Sequence, residues 1–224
     1  SPPVRLLWRV GNASNLRGII IGQRIATPED SVHANLTMAA IYAGFGGLAF
    51  ALIVYNLALW GALRHRFQLV YCAMAVALLA YAVTSSGLLA WIDPGIDNNN
   101  RMRLNYVLLG VAGATAAAFA RAFFEPRIFA GWLDRATMVA SILLASSGVV
   151  FAALSYIDVA IANGVSSAMF LAGLSITGPI LWNAWRRGSR YLVLFGVGWA
   201  LPIVFAMARI LAAFNLIPTT FWLD

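Results

Sequence analysis

The chain has 224 residues, of which 62% are hydrophobic and only 10% charged, against about 45–50% and about 25% in soluble domains. That balance excludes a water-soluble globule. Eight acidic and fifteen basic residues leave a net charge of +7, and every basic residue is Arg. With no Lys, a retinal Schiff base is excluded within these residues, and the arginines crowd into short connections between apolar runs, so no nucleic-acid surface is expected.

Residues 1–35 differ in kind from the rest. Val4, Leu6, Trp8 and Val10 alternate with Arg5, Leu7 and Arg9, the period of a half-buried strand. A Gly-Asn turn at residues 11–15 and an Ile-rich run to Ile21 suggest a second strand. Two strands are marginal alone, so they are expected to be the last strands of an extracytoplasmic sensor domain followed by a linker. An amphipathic interfacial helix is the competing reading. The start at Ser1-Pro2-Pro3, without Met or a leader, leads us to expect a signal peptide or further domain upstream.

The helical domain is expected over residues 36–224, with apolar runs at 39–62, 69–91, 104–123, 136–156, 160–182 and 191–214. Each is long enough to cross a hydrocarbon core as a helix. The unbroken apolar character of residues 39–62 rules out the alternating pattern of a transmembrane barrel. Only Arg121 and Arg209 carry charge inside these runs. Alternate connections hold Arg64 and Arg66, then Arg121, Arg127 and Arg135, then Arg186, Arg187 and Arg190. Positive charge collects on the cytoplasmic side, so those connections are expected inside and the N-terminus outside. Trp60, Trp91, Trp132, Trp182, Trp185 and Trp222 lie near span ends, where amphipathic rings favour the headgroup level. Six spans that start outside also finish outside, so a seventh is expected beyond residue 224.

Residues 35–224 resemble the bacterial seven-transmembrane receptors with diverse intracellular signalling modules. The likeness rests on Tyr42 and Gly44, on Tyr55-Asn56-Leu57, and on Arg64 and Arg66 before Phe67-Gln68-Leu69-Val70-Tyr71. Tyr81 and Gly87, then Arg209 and the segment from Asn215 to Trp222, continue it. The resemblance implies a sensor domain outside that binds an unknown ligand, and a cytoplasmic histidine kinase, diguanylate cyclase or phosphatase as output. It places the protein in a bacterial inner membrane.

The residue inventory argues against catalysis. His33 and His65 are the only histidines, expected on opposite sides of the membrane, which removes the helical zinc-protease motif. No carboxylate lies in mid-span for acid–base work. The chain is therefore read as no enzyme, with no cofactor or metal.

Four polar residues are candidates for packing or signalling. Arg209 lies within the sixth run, from which its side chain can snorkel outward or make a functional contact, with Asp158 as the nearest outer partner. Asn56, beside Tyr55, is expected to face another helix, because an unpaired amide is costly in lipid. It either fixes packing or takes part in a switch. Cys72 is expected to be a small buried residue. Gly110, Ala114 and Ala118, with Gly113 and Ala117, place small residues at four-residue spacing on the third span. Such spacing lets helices approach closely, either as the centre of the bundle or as a homodimer face. Pro179 and Pro202 are expected to bend the fifth and sixth spans.

The reading that unites these features is a receptor module relaying a signal from an outer sensor to a cytoplasmic output domain. A small-solute transporter or channel subunit is the alternative, weakened by the lack of an internal repeat.

Overall fold

The computed structural model describes residues 28–198 and residue 204. The expected strands of residues 1–27, the greater part of the sixth span, Pro202 and Arg209 lie outside the described residues. What is described is helical, without a strand.

Helix α1 runs Pro28–Leu63, α2 Arg66–Ser85, α3 Leu88–Ile92, α4 Asn98–Phe123, α5 Trp132–Leu154, α6 Val159–Leu174 and α7 Thr177–Arg186. A short 3-10 turn spans Pro126–Phe129, and residues 192–198 are helical again. Five segments are long and apolar enough to cross a membrane: Leu36–Leu63, Arg66–Ser85, Asn98–Phe123, Trp132–Leu154 and Val159–Arg186. The chain is a multi-pass membrane protein.

Each departure from the expected boundaries has a local cause. Helix α1 starts eleven residues ahead of the apolar run, with Glu29 and Asp30 in its first turn, where acidic side chains complement the helix dipole. The expected second span to residue 91 stops at Ser85 because Gly87 takes a φ of 83°, a left-handed value that favours glycine. The remainder folds as the separate short helix α3. Helix α4 begins six residues early, where the Asp97 carboxylate accepts from the Asn99 N–H at 3.1 Å and caps it. The fifth span divides into α6 and α7 around Ser175 and Ile176. Pro179 supplies the reason, since its ring clashes with the carbonyl four residues earlier and it has no N–H to offer. The expected bend is thus realised as a break one turn before the proline.

Packing runs in sequence, α1 on α2, α2 on α4, α4 on α5 and α5 on α6, with α4–α5 the broadest interface. The small residues of α4 make it central. A Cβ added at Gly110 would lie 2.7 Å from the Leu144 carbonyl, and one added at Gly148 of α5 would lie 2.3 Å from the Tyr106 carbonyl. The face expected either to pack internally or to dimerise is therefore occupied within the chain. Cys72 is buried, its thiol directed at the Ile53 carbonyl 3.6 Å away. At the end of the bundle where α4 finishes and α5 starts, a hydrophobic cluster gathers Phe119, Phe124, Ile128, Leu133, Ile180 and Phe195, among others.

Candidate functional site

The connections after α1, α4 and α7 share one end of the bundle and hold Arg64, Arg127, Arg187 and Arg190, with Arg66 and Arg135 in the first turns of α2 and α5 beside them. The turn between α5 and α6 and the segment between α2 and α4 lie at the opposite end, with Asp93, Asp97 and Asp158. Polar side chains link different helices at each end, in two different ways.

At the acidic end a polar layer ties four helices together. The Arg103 Nε donates to the Ser155 hydroxyl at 2.8 Å and its Nη1 to Asn100 Oδ1 at 2.9 Å. Its guanidinium lies 3.5 Å from the centroid of the Tyr156 ring, a cation–π arrangement. Deeper by about one turn, the Tyr106 hydroxyl donates to Asn163 Oδ1 at 2.8 Å, and its ring stacks on Phe151 with centroids 3.6 Å apart. The Thr84 hydroxyl donates to Asn105 Oδ1 at 2.8 Å. Helices α2, α4, α5 and α6 are thereby joined by side chains whose polar atoms would be costly unpaired in lipid.

At the Arg-rich end the connection after α4 is fastened to the one after α7. The Ser189 hydroxyl donates to Glu125 Oε2 at 2.7 Å, and Arg127 Nη2 lies 3.7 Å from Glu125 Oε1. The Arg127 guanidinium reaches the Gly188 carbonyl at 3.4 Å, while Arg187 donates back to the Arg127 carbonyl. The Asn183 amide donates to the carbonyl of Ile128, a residue wholly buried. Next to this clamp, Tyr191 and Phe195 pack on Phe123 with centroids 5.1 and 6.3 Å away, and Phe195 meets Phe124 at 4.8 Å. The segment that follows α7 is thus registered against the end of α4 by both polar and aromatic contacts. Arg121 closes the same region with two bonds to the Asp134 carboxylate, at 2.5 and 2.9 Å.

Among the described residues, the candidates Asp158, Tyr55 and Asn56 are not brought together. Asp158 caps α6, accepting from the N–H groups of Ala160 and Ile161 at 2.7 and 3.1 Å. Arg209 lies outside the described residues. The Asn56 amide donates to the Leu52 carbonyl of its own helix at 2.9 Å, which satisfies that hydrogen without a neighbouring helix, and Tyr55 is 60% exposed. Neither the clamp nor the polar layer stands out in the sequence by motif or spacing. The signals available were the amides Asn105, Asn163 and Asn183 in or beside apolar runs, where an amide needs a partner.

Residues 38–224 match the domain described as 7TM diverse intracellular signalling. The chain belongs to that family. No curated protein and no solved structure matches it. Members of this signalling family carry the membrane domain together with intracellular output modules, which makes the end where connections are clamped together the one of most interest.

Within this signalling domain, Glu125 is the clamp's titratable element. The hydroxyl of Ser189 above all, then backbone N–H groups including that of Arg190 and the charge of Arg127, hold its carboxyl below the ordinary carboxylate range despite some desolvation. A carboxyl lowered in the folded state stabilises fully above its unfolded value of about 4.3 and loses that contribution as pH falls through the folded value. Glu125→Gln keeps an acceptor for Ser189 but removes the charge. Its thermal unfolding midpoint should lie below that of the unaltered chain at neutral pH, and the two should converge as pH is lowered past the carboxylate range. A gap independent of pH would show that charge contributes nothing to the clamp.

Proposed function

We propose that the 7TM signalling domain relays a signal from an extracytoplasmic sensor domain to a cytoplasmic output domain, without chemistry of its own. The family match over residues 38–224 carries the reading, because its description couples this membrane domain to intracellular signalling. In this reading the N-terminus is extracytoplasmic in a bacterial inner membrane and the Arg-rich end faces the cytoplasm, following the bias of positive charge. The polar layer of Arg103, Tyr106 and Asn163 then lies on the sensor side and the Glu125–Ser189 clamp on the output side. The α4–α5 pair, which takes part in both, is the element whose position a signal would alter. A ligand shifts such a bundle only by favouring one arrangement over another, so it acts where the sensor domain meets the acidic end.

Two measurements test this. In a Cys72→Ala background, Gly95→Cys should react with a membrane-impermeant maleimide in intact cells and Arg135→Cys only after permeabilisation; the reverse would invert the orientation. In the full-length receptor, Ser189→Ala should change the basal activity of the kinase, cyclase or phosphatase output in membranes while leaving receptor abundance unaltered. Unchanged output, or solute flux by the protein in proteoliposomes, would count against the relay and favour a transporter.

A further inference from the structure

Among the described residues, the two acids of the Arg-rich end are already engaged: Asp134 by Arg121 at 2.5 Å, and Glu125 by Ser189 at 2.7 Å with Arg127 nearby at 3.7 Å. Arg186 and Arg190 are exposed and form no salt bridge among the described residues. This end therefore carries positive charge that the acids among the described residues do not compensate.

Helix α7 concentrates that charge beside an unusual aromatic surface. Ile180 and Ala184 face the core, with Asn183 and Arg187 engaged by the clamp on the same side. Trp182, Trp185 and Arg186, spaced at i, i+3 and i+4, therefore share the opposite face. The two indoles are 57% and 62% exposed, and their rings lie 5.1 Å apart. They occupy the last turn of the span Val159–Arg186, at the level where indoles meet lipid glycerol and headgroups. Arg190 follows across the Gly188 turn, and its backbone N–H contributes to holding Glu125, which ties the Arg190 backbone to the clamp.

We infer that the Trp182–Trp185 pair with Arg186 and Arg190 forms a docking site for the phosphate headgroup of an anionic phospholipid. The guanidiniums match a phosphate in charge and fork geometry, and the indoles cover the glycerol and upper acyl chain. An acidic protein segment would satisfy the arginines but leave two indoles in water. The charge complementarity holds whichever leaflet this end occupies, so the inference goes beyond the relay reading and does not depend on it.

The full chain, purified in a zwitterionic detergent, is equilibrated with phosphatidylglycerol or phosphatidylcholine, and bound lipid is counted as phosphorus after size exclusion. Phosphatidylglycerol should be retained in preference. Arg186→Gln with Arg190→Gln should weaken its retention about fivefold for each cation removed, whereas Arg186→Lys with Arg190→Lys should keep most of it. Trp182→Leu with Trp185→Leu, with both cations intact, should also lose bound lipid, which keeps the test decisive if the glutamine pair fails to fold. Arg135→Gln should leave retention unchanged. Equal retention of the two lipids, or an equal loss with Arg135→Gln, would reduce the site to diffuse charge and overturn the inference. So would a glutamine pair that retains lipid normally while the full-length receptor loses output, since that result assigns the patch to an acidic protein surface.

Discussion

Gly148→Ala should destabilise the bundle by about 3 kcal/mol, the upper part of the range for overpacking. The added methyl would stand 2.3 Å from the carbonyl oxygen of Tyr106 and 2.6 Å from the Cα of Val107. These are backbone atoms of α4, which no rotamer change can withdraw, so the two helices must separate. One turn further along α5, Phe151 stacks on Tyr106 at 3.6 Å, and just past its end Ser155 accepts from Arg103 at 2.8 Å; both contacts open when the helices part. The helix-propensity gain from Gly to Ala, about 1 kcal/mol, offsets only part of this. Gly173→Ala should cost less, because its nearest obstacle is the buried Leu144 side chain at 2.6 Å, with the nearest backbone atom, the Ala140 carbonyl oxygen, at 3.2 Å rather than 2.3 Å. Gly164→Ala, with nothing within 4 Å, should be neutral or slightly stabilising. Thermal unfolding midpoints of the purified proteins would rank the three. A Gly148→Ala chain that melts at or above the unaltered one would mean that α4 and α5 do not approach so closely.

That close crossing was half legible in the sequence. The four-residue spacing of Gly110, Ala114 and Ala118 announces a face for tight packing, but the partner cannot be read from one strand of the pair. Gly148 lies in a run of small residues, Ala145-Ser146-Ser147, without any period that marks it out. Span positions followed from hydropathy because lipid enforces apolar length. Their ends followed less well, since caps and breaks depend on single residues: Asp97 extends α4, Gly87 divides the second span, and Pro179 acts one turn upstream of itself. The clamp was not legible. Glu125 and Ser189 are 64 residues apart, and each read alone is an ordinary loop residue between spans. Their pairing follows from the antiparallel return of the chain, which brings the ends of α4 and α7 to the same level. Charge bias reports which loops share a side of the membrane, but not which of them touch.

Asn183→Leu should uncouple α7 from the α4–α5 connection more completely than any change at Glu125. The Asn183 amide donates to the Ile128 carbonyl, and its own oxygen lies 3.2 Å from Arg187 Nε. Ile128 is fully buried in the cluster with Phe129, Leu133, Ile180 and Ala184. Leucine is close to asparagine in size, so the space is filled while the carbonyl is stranded, and a buried acceptor left unpaired costs about 1–3 kcal/mol. Glu125 differs because a change there removes the contacts to Ser189 and Arg127 but leaves Asn183 bonded to the buried Ile128 carbonyl. Asn183→Asp would keep the shape but place a second acceptor against the carbonyl, and it should be at least as damaging as leucine. Asn183→Gln, with its amide one methylene further out, should recover part of the loss. The predicted order is the unaltered chain, then Gln, then Leu and Asp, read from unfolding midpoints in detergent. The same order should appear in the output of the full-length receptor if the clamp transmits position from α4 to the segment after α7. Stability falling in that order while output per folded receptor stays constant would leave the clamp as a fastening alone.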